Sequence, residues 1–146
     1  WYTGARRRWG EEAAQMLEKD VWINRGGAEY DLEIGQKAMG VTGDDVESLL
    51  RSFQFAPGEV GILEVELELH GPNHGTLTHH RCPAVDRLEH YDESRLRHSC
   101  DICLAAMPIS GEMLNRKIEC RPLKIPPRED SNDIACKWEY RLPDQS

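Results

Sequence analysis

Five cysteines are the residues of this chain best suited to chemistry, and all of them follow residue 81. Cys100 and Cys103 lie one helical turn apart in HSCDICLAAM, residues 98–107. An odd number of cysteines, in a chain with no sign of secretion, argues against a closed disulfide framework. The set therefore favours metal binding or thiol chemistry. Ordinary burial in a core is the third interpretation, because free cysteine is often buried.

Cys82 and Cys100 are both predicted to lie at the start of a helix. Cys82 ends a predicted strand directly before Pro83, which suits a first helical position. Ser99 is the predicted N-cap of a helix that begins at Cys100 and is interrupted at Pro108. A thiol in a first turn faces unpaired N–H groups and the positive end of the helix dipole, which favours the thiolate. Cys100 is therefore the predicted nucleophile or first ligand, with Cys82 as its partner.

Candidate acid and base groups lie next to these thiols. The segment HHRC places His79 and His80 just before Cys82. On a strand His80 shares the face of Cys82 whereas His79 does not, so His80 is the better candidate. Asp101, beside Cys100, is predicted to act as a general base, to orient a histidine, or only to interact favourably with the helix dipole.

A metal site is the other chemistry that these cysteines suggest. Tetrahedral zinc sites are usually built from two C-x2-C pairs, and here only Cys100 and Cys103 have that spacing. In the metal version of the site, zinc or iron would be held by Cys82, Cys100, Cys120 and Cys136. If all four bind and no position stays open, the site is structural. The chain contains no serine-hydrolase, phosphate-loop, dinucleotide-binding or zincin motif.

Length and charge limit the class of protein. A chain of 146 residues is one domain's worth, so we predict a single domain over 1–146, helical over about 1–56 and sheet-containing and cysteine-rich over about 59–146. A net charge of -8, with 26 acidic against 18 basic residues, disfavours nucleic-acid and anionic-membrane partners. No membrane-length apolar run or leader is present, so we expect a soluble cytoplasmic protein. The chain begins at Trp1 without a methionine, which leaves a longer native N-terminus open.

The elements that must position these residues can be predicted from periodicity. Apolar residues at helical spacing predict one helix over Tyr2–Lys19 and another from about Val21 towards Met39, which ends at Gly40. A third helix carries Val46, Leu49, Leu50 and Phe53 and is predicted to be capped by Thr42 or Asp44. A short helix is predicted from Pro83 to about Tyr91.

Alternation of apolar and polar residues predicts two hairpins. The first spans residues 60–82 and turns at GPNHG. The second joins LNRKIECRP to DIACKWEYRL through the polar linker PPREDSND. In its last strand one buried face is shared by Ile134, Cys136, Trp138, Tyr140 and Leu142. The predicted fold class is α+β, with N-terminal helices packed on one antiparallel sheet.

The ordered segments RCPAVDRLEHY, HSCDICLAAM, IECRPLKIPP and IACKWEYRL carry a family resemblance. Together they resemble the second half of the L-2-amino-thiazoline-4-carboxylic acid hydrolase-like proteins and of a related uncharacterised cysteine-rich family of anaerobes. The opening WYTGARRRWGEEAAQMLEKDVWI is similar to the tryptophan-led first helix of the uncharacterised group, towards which RPLKIPPREDSND also departs. The positions that match are Cys82 with Pro83, Cys100 with Asp101, Cys120, and Cys136 before Trp138, while Cys103 has no counterpart.

The resemblance implies a fold of the 4-vinyl reductase type with cysteines gathered around a pocket, and the family's name implies ring opening by water. From these inferences we expect a small hydrolase-like enzyme that uses a cysteine thiolate or a cysteine-bound metal on a small heterocyclic or thio/amide substrate. The alternative is a non-catalytic module that binds zinc or iron through cysteines or senses a ligand. A homo-oligomer and an accessory subunit of a larger enzyme complex both stay open.

Overall fold

The computed structural model describes residues 1–24, 27–56, 59 and 63–143. The helices are α1 (Tyr2–Trp9), α2 (Glu11–Lys19), α3 (Gly27–Met39), α4 (Val46–Phe53), α5 (Pro83–Leu88) and α6 (Glu93–Leu114), with a π-helical turn at Asp20–Asn24. The strands are β1 (Glu64–Gly71), β2 (His74–Arg81), β3 (Glu119–Lys124) and β4 (Cys136–Arg141). The predicted α+β class, with N-terminal helices and an antiparallel sheet, is confirmed.

The N-terminal helices differ from the prediction in where each helix begins and ends. The single helix predicted over Tyr2–Lys19 is wrong, because the chain breaks at Gly10, whose φ of 91° lies in the region that favours glycine. Across the break the Tyr2 hydroxyl donates to Glu11 Oε1 at 2.5 Å. The second predicted helix begins instead as the π-helical turn, and its residues 25 and 26 lie outside the described residues. Helix α3 ends before Gly40, whose φ of 63° fits the predicted C-cap.

Helix α4 forms where its apolar spacing predicts it, but with a different cap. The Asp45 carboxylate accepts the Ser48 N–H at 2.8 Å, so neither Thr42 nor Asp44 is the N-cap. The helix buries Val46, Leu49, Leu50 and Phe53, all predicted, against the sheet. Glu59, six residues beyond the end of α4, contacts His79 through its carboxylate.

The sheet has the strand order β1-β2-β4-β3, and all neighbours are antiparallel. Both predicted hairpins are therefore present, and they join through β2 and β4. Residues 60–62 of the first predicted hairpin lie outside the described residues. On the inner face Leu77, Trp138 and Tyr140 are fully buried in the main core. The outer face is polar: the Glu139 carboxylate accepts from Arg141 and Arg121, and these bonds lower the pKa of Glu139 to about 2.

Helix α6 is much longer than predicted, and this changes the setting of its cysteines. It begins at Glu93, where the Asp92 side chain accepts the Arg95 N–H at 2.9 Å, so a helix start at Cys100 with Ser99 as N-cap is wrong. Pro108 lies within the helix and does not interrupt it. Cys100 is therefore about two turns from the helix start, beyond the reach of its free N–H groups. Among the helices of the described ranges, none has the length and apolarity that a membrane span requires.

Candidate functional site

His79 lies between a thiol and a carboxylate on the inner side of the sheet. Its Nδ1 is 3.0 Å from Cys136 Sγ, and its Nε2 is 2.6 Å from Glu59 Oε2. The side chains of His79 and Glu59 are only 7% and 12% exposed. Thiol, imidazole and carboxylate in this order form the arrangement of a cysteine nucleophile, its base and the group that orients the base.

The strand pairing places these side chains together. In the β2–β4 ladder the Cα partner of His79 is Cys136, and beyond the ladder the Ala135 N–H donates to the His79 carbonyl at 2.8 Å. Side chains on directly opposed residues of an antiparallel pair are close neighbours. Glu59 is held from the other side by its backbone, because its N–H donates to the Ala56 carbonyl at 2.9 Å and its own carbonyl accepts from Leu63.

The environment of His79 favours its protonated form. Burial alone would lower the pKa of His79, but the hydrogen bonds to Cys136 and to Glu59 outweigh burial and raise this pKa to about 10. At neutral pH both ring nitrogens then carry protons, so that Nε2 donates to the Glu59 carboxylate and Nδ1 donates to the Cys136 sulfur. A buried cation is thereby compensated on both sides of the ring.

A second donor contacts the same sulfur. The indole Nε1–H of Trp138 points at Cys136 Sγ at 3.3 Å, and Trp138 is almost fully buried. Trp138 and Cys136 are two residues apart on β4 and so share its inner face. Two N–H groups, from the His79 and Trp138 rings, therefore point at the Cys136 sulfur.

Helix α6 presents further thiols to this site. Leu96, Cys100, Cys103 and Met107 recur at spacings of three and four and share one face of the helix. Leu96 and Met107 are only 6% and 9% exposed, whereas Cys103 between them is exposed to solvent. The surrounding protein nevertheless raises the pKa of Cys103 well above its ordinary value, and negative charge on Cys136 raises it further. The Cys103 thiol is therefore exposed to solvent, while the neighbouring protein groups disfavour its thiolate.

Cys82 and Cys100 lie in an apolar setting. Both are half-buried and pack against the small cluster that includes Leu96 and Ala135. Burial raises the pKa of Cys100 to about 11, and charge on Cys136 and Cys82 adds to the shift. This is the opposite of the thiolate that a helix start would have favoured. Cys82 does precede a helix, as predicted, because it is the N-cap residue of α5.

The two candidate histidines lie on the opposite sheet faces from those predicted. His80 is on the outer face of the sheet, where its Nε2 is 2.9 Å from Glu66 Oε2, and His79 faces the thiols. The prediction took Cys82 as the marker of the inner face, but β2 ends at Arg81 and the alternation no longer applies at Cys82. Leu77 identifies the inner face correctly, because it is buried and lies on the same face of β2 as His79.

The remaining predicted residues lie apart from this pair. Asp101 is on the exposed side of α6, where its charge contributes to the raised pKa of Cys100. Cys120 is paired with Tyr140 in the β3–β4 ladder, and burial raises its pKa to about 12. Tyr140 is four positions along β4 from Cys136, roughly 13 Å. The structure thus does not bring Cys120 to the other three predicted metal ligands. In the ranges that the structure describes, no group of three or more His, Cys, Asp or Glu residues is arranged to hold a metal ion.

Comparison of the chain with protein-family models, with curated proteins and with solved structures finds no match in any of the three. The resemblance to the thiazoline-carboxylate hydrolase-like proteins therefore stays a prediction, as does zinc or iron binding. The candidate site is defined by the contacts of His79 with Cys136 and Glu59. Sequence analysis did not select two members of this site, Glu59 and His79. Only His79 had a sequence signal, because it lies two residues from Leu77 on β2 and so shares its face.

Proposed function

We propose that the protein is a small hydrolase-like enzyme in which Cys136 is the nucleophile, His79 exchanges protons and Glu59 orients the imidazole. The observation that carries the proposal is the pair of contacts made by His79, 3.0 Å to the Cys136 sulfur and 2.6 Å to the Glu59 carboxylate. The substrate class is a small heterocyclic or thio/amide compound with an electrophilic carbon. Such a carbon accepts a soft sulfur nucleophile and has a nitrogen or sulfur leaving group.

The reaction follows from the positions of the protons. The Cys136 sulfur adds to the C=N or C=O carbon, and the proton that the thiol gave up resides on His79. His79 then delivers that proton to the nitrogen or sulfur as its bond to carbon breaks, which leaves a covalent intermediate on Cys136. Neutral His79 next accepts a proton from water, whose oxygen attacks the same carbon. Cleavage of the C–S bond releases the product, and His79 again holds the proton.

Glu59 acts through His79. Its buried carboxylate accepts the Nε2–H, which keeps Nδ1 directed at the sulfur and stabilises the imidazolium that forms when the thiol loses its proton. A carboxylate in the same relation to a solvated histidine would have little effect, because water screens exposed pairs.

The order in which native thiols react with iodoacetamide tests the proposal. In protein purified without oxygen, Cys136 should be alkylated faster than Cys103, although Cys103 is the more exposed thiol, because activation and not exposure decides the rate. His79→Gln should slow the modification of Cys136 by about a hundredfold, the usual scale of a lost base. His80→Gln is the matched control on the same strand and should leave the rate unchanged. Faster modification of Cys100 or Cys82 than of Cys136 would contradict the assignment.

The non-catalytic alternative, a cysteine module that binds zinc or iron, draws on a different observation. Cys82 and Cys136 lie near enough to Cys100 for their charges to raise its pKa. Metal content measured by mass spectrometry on the same oxygen-free protein distinguishes the two functions. About one metal per chain, with these thiols protected from iodoacetamide, would favour the module. A metal-free protein with a fast Cys136 supports the enzyme.

A further inference from the structure

The N-terminal helices carry most of the chain's tryptophan on their surface. The chain has four tryptophans, of which Trp138 is in the core. The side chains of Trp1 and Trp9 are 63% and 61% exposed, and Trp22 and Met16 of the same region are exposed as well. Large apolar side chains grouped on one surface of a protein are characteristic of an interaction site.

Trp1 and Trp9 border an open groove of about 590 Å³ between α1 and α2. Leu17 of α2 lines the same groove, as do Gly4 and Ala5 of α1, and Ala5 lies one helical turn from each tryptophan. A Cβ added at Gly4 would meet nothing within 4 Å, so the space between the two indoles is open. A groove with indole walls and no large side chain between them can receive bulky apolar side chains from another molecule.

Other side chains of α1 and α2 anchor these helices to α6. Arg95 Nη2 donates to Glu18 Oε1 at 2.6 Å, and both side chains are largely buried. The Arg95 guanidinium also lies over the Tyr2 ring, 3.7 Å from its centre. The groove is therefore formed before any partner binds, which lowers the entropy cost of association.

Charges of opposite sign lie on either side of Trp9. Arg8 lines the groove, and its guanidinium is 5.8 Å from the centre of the Trp9 ring. Glu12 is exposed in the first turn of α2. Within the described residues neither Arg8 nor Glu12 has an ion-pair partner, whereas Arg6 and Glu11 beside them pair at 3.6 Å. The surface around the groove thus offers one unpaired positive and one unpaired negative charge.

We propose that two copies of this chain associate through this groove, about a two-fold axis that passes near Trp9. Such an axis reverses the order of residues in one copy relative to the other, so that Arg8 of each copy lies against Glu12 of the second. The indoles of each copy pack into the groove of the other, and both apolar surfaces leave water.

Charge favours a second copy over other occupants of the groove. A net charge of -8 disfavours approach to an anionic membrane. A purely acidic partner would satisfy Arg8 but would place like charge beside Glu12. A second copy supplies both signs, because it carries the same two residues.

Sedimentation equilibrium of the full chain measures the association. The native protein should form a dimer, and Trp9→Ala should raise the dissociation constant by roughly thirtyfold, the scale of a central tryptophan at an interface. Tyr91→Ala is the matched control, because it removes an even more exposed aromatic ring that lies elsewhere. It should leave the dissociation constant unchanged.

Charge reversal tests the symmetry of the pairing. Arg8→Glu and Glu12→Arg should each weaken the dimer by about tenfold or more, because like charges then face each other twice. An equimolar mixture of these two variants should associate as tightly as the native chain, since both contacts in the mixed dimer again join opposite charges. Arg116→Glu changes the net charge as Arg8→Glu does, at an exposed position outside the groove, and should have no effect. Recovery on mixing shows that both variants are folded.

Three results would overturn the proposal. One is a protein that stays monomeric at every concentration measured, and another is a dimer that Trp9→Ala does not weaken. The third is a monomer that binds vesicles of phosphatidylcholine and phosphatidylserine more tightly after Glu12→Arg, which would assign the groove to an anionic surface. The alkylation rate of Cys136 is independent of all three results, so the association and the proposed function can fail separately.

Discussion

At the scale of single residues, the properties of His79 come from its two partners and not from the imidazole itself. Burial without partners would have kept this ring neutral, because desolvation disfavours charge. The Cys136 sulfur and the Glu59 carboxylate reverse that effect and raise the pKa of His79 to about 10. His80, one residue later, has an equally direct carboxylate partner in Glu66, but in an exposed pair.

The comparison of these two pairs gives a prediction. Glu59→Gln removes the charge beside His79, so the pKa of His79 should fall and the alkylation of Cys136 at pH 7 should slow by about tenfold or more. Glu66→Gln is the matched control, since an exposed pair contributes little. The measurements are the His79 titration by NMR and the iodoacetamide rate. Equal effects of the two substitutions would contradict a special role for Glu59.

At the scale of elements, the site depends on how closely helices and strands approach. Helices α3 and α4 meet at Gly35, where an added Cβ would lie 2.0 Å from the Ser52 carbonyl oxygen. Backbone cannot move aside as a flexible side chain can. Ala56, three residues beyond the end of α4, accepts the Glu59 N–H, so this helix contact also supports the position of the carboxylate.

Gly35→Ala should therefore lower the free energy of unfolding by about 3 kcal/mol or more. Gly4→Ala is its control on α1, where an added Cβ meets nothing within 4 Å. That substitution should be neutral or stabilise by roughly 0.5–1 kcal/mol, as expected for alanine in a helix. Urea unfolding of both variants checks the pair, and an equal response would show that the contact between α3 and α4 is not close-packed.

At the scale of the whole molecule, two buried ionised groups set the pH range of stability. The folded pKa of His79, about 10, is above its ordinary 6.5, so its contribution is complete below about pH 6.5 and is lost as pH rises through 10. The folded pKa of Glu139, about 2, is below its ordinary 4.5. Its contribution is present above about pH 4.5 and is lost as pH falls through 2.

We expect the free energy of unfolding to be greatest between about pH 5 and 7 and to decrease on both sides, by on the order of 2 kcal/mol for each group. Urea unfolding across pH 2–10.5 measures the curve. His79→Gln should flatten its alkaline limb alone, and Glu139→Gln its acid limb alone. A substitution that lowered stability equally at every pH would assign that residue a packing role instead.

Part of this structure follows from local pattern and was predictable. The strict alternation Cys136, Trp138, Tyr140 determined that the Cys136 sulfur faces the core, because side chains along a strand point to opposite faces in turn. The two hairpins and the segment that became α4 were equally local. Where a local signal was misread, as with the start of α6, a competing N-cap at Asp92 stood earlier in the chain than Ser99.

The site itself was decided only by tertiary structure. His79 and Cys136 are 57 residues apart, and they meet because β2 of one hairpin pairs with β4 of the other. No local pattern specifies which strands of two separate hairpins become neighbours, because that choice depends on how both pack against α4 and α6. Glu59 reaches His79 from a turn 20 residues upstream that has no strand or helix periodicity. The sequence by itself determined which face each strand buries, and the packing of distant segments decided which residues on those faces come into contact.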